Sequence, residues 1–142
     1  MNNDSKRAAD RAIALVLDYY AAFNRRDWDG MLARLSEDVV HDLNQGPREH
    51  GREAFRAFLQ RMDASYAEQL RDICAMASED GRRVAAEYVV HGTYKADDAG
   101  LPKASGQTYV LPGGAFFEIR ERKIARVTNY YNLPDWIAQV GG

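Results

Sequence analysis

The stretch YYAAFNRRDWDGMLARLSEDVVHD, residues 19–42, leads a helix into a strand, and its reading decides how the rest of the chain folds. Upstream, Ala8, Ala12, Leu15, Val16, Tyr19 and Phe23 recur at intervals of three and four, with Ile13, Leu17 and Tyr20 as a second stripe. That spacing predicts one long helix from Asp4 to about Arg26, buried over a wide arc. Asp27 is placed to cap a short second helix carrying Trp28, Met31, Leu32 and Leu35, since its carboxylate can accept from an unpaired N–H of the first turn. After Ser36-Glu37-Asp38, the run VVHDL reads as a strand.

Beyond the loop NQGPREHG, residues Gly51 to Met62 place Phe55, Phe58, Leu59 and Met62 on one helical face. The period then changes. Residues 67–78, 82–95, 107–120 and 123–132 are rich in β-branched, aromatic and alanine residues, and EDGR, ADDAGLPKASG and ERK separate them. The first and third separators suit hairpins. The second, 96–106, is long for a hairpin and reads as a flap as well as a connector. Helix, helix, strand, helix and four antiparallel strands predict an α+β fold, with helices on the concave face of a curved antiparallel sheet. A chain of 142 residues fits one domain, 1–142.

The charge balance, 19 Lys and Arg against 21 Asp and Glu, offers no basic patch for phosphates, so no nucleic-acid partner is expected. No apolar run approaches the ~18 residues of a membrane span, and a polar start without an apolar leader core points to a cytoplasmic protein. Cys74, the sole cysteine, lies in ICAMA and reads as a buried, inert thiol. Pro134 is expected to stop the last strand, with Trp136 and Ile137 folding the tail back over an edge or a pocket mouth.

The opening stretch resembles the start of the ketosteroid isomerase and SnoaL-like cyclase families of the NTF2-like superfamily, and AAEYVVHGTY followed by GAFFEIRERKIARVTNYYNL resembles their paired strands. The resemblance covers nearly the whole chain. It implies a cone, a sheet wrapped around the long helix with a mostly apolar pocket for a small hydrophobic molecule, and a homodimer formed on the outer sheet face. The fold alone assigns no reaction. Alternation on the implied strands points His41, Leu43, Tyr88, Tyr109, Phe117, Asn129 and Tyr131 inward, and Glu87, Val89, His91 and Thr93 outward.

The isomerases of this superfamily use a helix Tyr, a first-strand Asp base and a second, protonated Asp. Tyr19 matches the Tyr, whereas Leu43 and Ala115 fall where the two acids belong, which argues against steroid-type isomerisation. His41 shares the face of Leu43 and reads equally as a general acid or base and as a core histidine with both nitrogens bonded. Asp42 is the nearest carboxylate to the missing base; a regular strand turns it outward, and one bulge would bring it in. Tyr19 reads as oxyanion donor or packing residue, and Asn129 as an inward amide that needs a partner among Tyr19, His41, water or ligand.

The expected catalytic set is therefore Tyr19, His41, Asp42 and Asn129. The expected binding walls are Tyr88, Tyr109, Tyr131, Phe58, Phe117 and Asn44, each with an ordinary packing or turn role as its alternative. Three histidines without HxH, HExxH or CxxC spacing argue against a metal site, and the absence of GxSxG and GxxxxGK[ST] argues against nucleophile-elbow and phosphate-loop chemistry. No cofactor is expected. The reading favours an acid–base isomerase, cyclase or dehydratase acting on a small hydrophobic carbonyl or polyketide-like compound, against a non-catalytic binding or dimeric interaction domain.

Overall fold

The computed structural model describes residues 3–141. Helix α1 (Asn3–Asn24) buries Ala12, Val16, Tyr19, Tyr20 and Ala22, following the apolar stripe of its sequence. It ends at Asn24, whose amide bonds both backbone groups of one residue: Nδ2 donates to the Leu70 carbonyl at 3.0 Å and Oδ1 accepts from the Leu70 N–H at 2.8 Å. Leu70 lies on an edge strand, so this clamp satisfies backbone groups that no neighbouring strand can reach. Helix α2 (Trp28–Ala33) is capped as expected, the Gly30 N–H donating to Asp27 Oδ1 at 2.9 Å.

The six strands are β1 (Leu35–Asp42), β2 (Glu49–His50), β3 (Tyr66–Ala77), β4 (Arg83–Tyr94), β5 (Gln107–Arg120) and β6 (Lys123–Tyr131). They form one curved sheet in the order β2-β1-β6-β5-β4-β3, antiparallel except where β1 runs parallel to β6. Helix α3 (Arg52–Ser65) connects β2 to β3. The chain is thus α+β with its N-terminal helices against the sheet, as the alternation requires.

The core is a continuous cluster in which Val16, Val84, Phe117, Ile124 and Val127 are among the most deeply buried side chains. Each such side chain contributes about 1.5–3 kcal/mol of apolar transfer energy. Buried residues alternate along β4 and β5, as period two predicts, whereas in β6 a register shift between Ile124 and Arg126 puts both Ile124 and Val127 in the core.

Three local departures matter. In β3, the register shifts by one residue between Arg71 and Cys74, and Asp72 takes φ 56°. This bulge inverts the strand: Tyr66, Glu68 and Leu70 share the inner face before it, whereas Ile73, Ala75 and Ala77 share it afterwards. Cys74 consequently pairs with Glu87 on the outer face and is exposed, correcting the expected buried thiol.

The segment 96–106 is tied down rather than free as a flap. The Tyr94 hydroxyl donates to the Pro102 carbonyl at 2.6 Å and accepts from the Asp98 N–H at 2.9 Å, and the Tyr66 hydroxyl donates to Asp98 at 2.7 Å. The tail forms helix α4 (Leu133–Val140), capped by Asn132, whose Oδ1 accepts from the Asp135 N–H at 3.0 Å. Trp136 packs on Tyr66, Tyr94 and Tyr109 with centroid separations of 5.0–5.9 Å, so the tail does fold back, while Ile137 remains exposed.

Candidate functional site

The inner face of the sheet carries a polar and aromatic band that two glycines make possible. Glu68, Gly92 and Tyr109 are register partners across β3, β4 and β5. A Cβ on Gly92 would lie 2.3 Å from Tyr109 Cζ, so the missing side chain is the space the tyrosine ring occupies. Lying across that gap, the Tyr109 hydroxyl donates to Glu68 Oε2 at 2.5 Å. Two inward rows along, past Val90 and Leu111, Tyr88, Gly113 and Tyr131 are register partners, and the Tyr88 ring fills the space over Gly113, 2.8 Å from where its Cβ would be. The small residues of PGGA thus admit a protein ring.

Glu68 is the electrostatic centre of this band. Burial raises its carboxyl above the usual range, and the Tyr109 hydrogen bond opposes that rise. It makes no ion pair among the described residues. Burial and the Glu68 charge together push the Tyr88 hydroxyl up to about 12, and the same two causes raise Tyr109 and Tyr131. These phenols are therefore neutral donors at ordinary pH. Tyr109 is buried, Tyr88 and Glu68 are partly buried, and Tyr131 is exposed, so the band runs from the core to the surface.

A second tyrosine pair approaches from α1. Tyr20 packs edge-on against Tyr88 at 5.4 Å, and Tyr19 packs against Tyr20 and Phe117 at 5.4 and 5.9 Å. Burial raises both hydroxyls. The Tyr20 hydroxyl is buried without a hydrogen-bond partner, a state that costs roughly 1–3 kcal/mol unless a ligand or water supplies one. The expected donor was Tyr19. Among the described residues the buried tyrosine hydroxyl without a hydrogen-bond partner belongs to Tyr20, and Asn129 meets His41 rather than Tyr19.

The other end of the band is His41. Its ring is 2% exposed, stacked on Phe55 at 4.2 Å and met edge-on by Phe58 at 4.7 Å. Nε2 lies 3.4 Å from Asn129 Nδ2, which answers which partner the inward amide finds. On the other side Nδ1 stands 4.0 Å from Glu49 Oε1. Burial pushes the imidazole down to about 4, against the pull of the Asp42 charge, so it stays neutral at ordinary pH.

Asp42 is not part of this interior. The strand is regular at His41 and Asp42, which pair with Val127 and Thr128, so the bulge that would have turned Asp42 inward is absent. Its carboxylate instead accepts from Arg48 Nε at 2.6 Å, Arg48 Nη2 at 3.0 Å and the Thr128 hydroxyl at 2.8 Å on the outer face. The Arg48 guanidinium holds it below the usual carboxylate range. Asn44 is exposed, with φ 63°, and donates to the Asn129 carbonyl at 2.7 Å; its observed contact ties the end of β1 to β6. Phe117 is fully buried in the core, and Phe58 packs against that core and against His41.

Sequence reasoning missed Glu68, Glu49 and Tyr20. The signals were present: Glu68 interrupts an alternating Tyr66-x-Glu68-x-Leu70 face, and Gly92 interrupts a strand where a side chain must be making room. Glu49 carried no such signal, because β2 has only two residues.

A cleft of about 830 Å³ lies elsewhere, between α1 and the turns of the two hairpins, lined in part by Ala8, Arg11, Leu15, Ile119 and Arg122. Two ion pairs lie on its rim, Arg82–Asp80 and Arg83–Glu118. It contains none of the buried titratable groups of the band. Among the described residues no group of His, Cys, Asp and Glu is arranged to hold a metal ion.

The family model of the SnoaL-like domain matches residues 16–127, from the middle of α1 to the strand that carries Asn129. The chain belongs to the SnoaL-like family. Solved SnoaL-like relatives extend the match over nearly the whole length. A "putative polyketide cyclase" from Xanthomonas campestris pv. campestris is 67% identical, covers 93% of this chain and 98% of its own, and superposes with a TM-score of 0.91. A second, from Pseudomonas putida KT2440 and described in the same words, is 60% identical over 91% of this chain and 97% of its own, with a TM-score of 0.90. A LEH-like epoxide hydrolase of M. tuberculosis, 19% identical over 93% of this chain and 90% of its own with a TM-score of 0.74, shares the fold alone. No curated protein matches the chain. Among the described residues, no helix is long and apolar enough to cross a membrane.

Proposed function

We propose that this SnoaL-like chain catalyses cofactor-independent proton transfer on a small, largely apolar carbonyl compound of polyketide type. The observation that carries the proposal is Glu68, a partly buried carboxylate with a burial-raised pKa, bonded by Tyr109 and on the same inner face of the sheet as Tyr88 and Tyr131. A carboxylate raised in this way is matched to take a proton from the carbon next to a carbonyl at neutral pH and to return it elsewhere. The charge that develops on the carbonyl oxygen needs a donor, and the Tyr20 hydroxyl is buried and unpartnered beside Tyr88. A donor of this kind lowers the barrier by about 2.7–4 kcal/mol. The enol so formed either regains its proton at a new carbon, an isomerisation, or attacks a second carbonyl of the same molecule, a cyclisation. The likeness to proteins described as polyketide cyclases supports the substrate class.

The test is deuterium exchange into a panel of aromatic and polyketide-like ketones, followed by NMR. Glu68→Gln is expected to lower exchange about 10²–10⁴-fold and Tyr20→Phe about 10²–10³-fold. Exchange at the wild-type rate in both variants overturns the proposal. A second reading, ligand binding without turnover, draws on the His41 ring being closed in by Phe55 and Phe58 rather than open to a cavity. It is favoured if a ketone held at 100 times its Kd stabilises the fold by about 2.7 kcal/mol yet exchanges no proton.

A further inference from the structure

Two polar atoms in the interior face each other without a partner, His41 Nδ1 and Glu49 Oε1. Their meeting is built into the backbone. His41 and Glu49 are register partners in the antiparallel β1–β2 pair, and directly opposed residues of such a pair project to the same face. Glu49 comes from a two-residue strand whose continuation, α3, brings Phe55 onto one face of the same ring and Phe58 against it edge-on. The ring is thus held by two phenyl groups and, at its two nitrogens, by polar groups, Glu49 on one side and Asn129 on the other.

We propose that Glu49 is a positioning residue that accepts the Nδ1 proton of His41 and so fixes the ring in the tautomer whose Nε2 lone pair faces Asn129 and the interior. A carboxylate can only accept, so the neutral ring must present N–H to it. The opposite tautomer would set the Nδ1 lone pair against the carboxylate and leave Nε2–H directed at Asn129. With the amide oriented as observed, Nδ2 then donates to the Nε2 lone pair, and both neighbours demand the same proton placement. The 4.0 Å separation is longer than a hydrogen bond, so the proposed bond requires the Glu49 side chain to turn towards Nδ1. Arg61 stands behind, 4.0 Å from the second carboxylate oxygen.

The charged groups around His41 are few. Glu49 faces it from β2, Arg61 of α3 lies behind Glu49, and Asp42 acts from the opposite face of β1; β6 contributes the neutral Asn129. Removing Glu49 therefore removes the acceptor on the Nδ1 side. The chemical use of the arrangement rests on the proposed proton-transfer function, in which an Nε2 lone pair with a fixed direction orients Asn129 and any ligand oxygen or proton beside it. The arrangement itself does not rest on that function.

The experiment is 15N-edited NMR of the His41 ring across pH in the full chain, which reads the protonated nitrogen without any substrate. The wild type is expected to show Nδ1–H and a lone pair on Nε2. Glu49→Gln, whose amide oxygen still accepts, should keep that tautomer. Glu49→Ala should mix the two tautomers or invert them, with His41→Gln identifying the signals. Nε2–H in the wild type, or Glu49→Ala indistinguishable from wild type in tautomer and titration, overturns the proposal. A shifted tautomer in Glu49→Ala together with no ketone exchange in any form would uphold the positioning role and remove the catalytic reading instead.

Discussion

Glu68 and Tyr109 are hydrogen-bonded across two strands, hydroxyl to carboxylate at 2.5 Å, over the one position between them that has no side chain, Gly92. The contact is a property of three residues in register. Gly92→Ala should therefore act as a substitution of the Glu68–Tyr109 pair without touching either. Its Cβ would meet the ring at 2.3 Å, and the ring is buried and unable to yield freely. Overpacking of this kind costs about 1–3 kcal/mol. Urea denaturation measures the cost, and a stability equal to wild type would show that Tyr109 has another place to go.

Glu68→Gln should stabilise the fold at neutral pH while abolishing proton transfer. The carboxyl has a raised pKa in the folded state, so its favourable contribution is present below the unfolded value and is lost as pH rises through the folded value. Where it ionises, the buried carboxylate is a burden that the neutral amide lacks. A gain of about 0.5–2 kcal/mol is expected, the range of single stabilising substitutions. Paired urea midpoints at pH 7 and pH 4 check the sign, because the gain should shrink at the lower pH.

His41 gives the opposite limb. Its folded value of about 4 lies below the ordinary 6.5, so the stability it contributes is present above pH 6.5 and is lost as pH falls towards 4. With the ring 2% exposed, the full loss is on the order of 3 kcal/mol. His41→Gln should flatten this part of the acid limb. Comparing wild type with the variant between pH 6.5 and 4 separates His41 from Glu68, whose contribution runs the other way. Parallel curves would mean that the imidazole is not buried neutral.

The outer face of the sheet exposes Val110, Phe116 and Tyr130, each about half accessible, and Phe116 and Tyr130 already pack edge-on at 5.6 Å. Apolar rings on an open sheet face are expected to be covered by a second copy of the chain. Sedimentation should give a species near twice 16.0 kDa, and Phe116→Glu with Tyr130→Glu should return it to a monomer. A monomeric wild type at micromolar concentration would remove this expectation.

Asp42 shows why part of the site is hidden in a linear reading. Whether a residue on a strand faces in or out depends on each bulge upstream of it, and bulges are settled by packing across the sheet. At His41 and Asp42 the strand is regular and the simple alternation holds. At Cys74 a single extra residue in β3 reverses it, and Asp72 adopts a left-handed φ to make the turn. Glu68 lies before that bulge, which is what directs it inward.

The amino-acid sequence by itself determines the helix stripes, the Asp27 cap, the long-strand alternation from Val84 to Tyr94 and from Tyr109 to Phe117, and hence the α+β cone, because these are local periodicities that burial of one face enforces. Tertiary structure alone decides that Glu68 meets Tyr109 over Gly92, that Glu49 stands opposite His41, and that Tyr20 keeps an unpartnered hydroxyl. The physical reason is distance along the chain: Glu68 and Tyr109 are separated by 41 residues, and only strand register, set by packing of the whole sheet, brings them together.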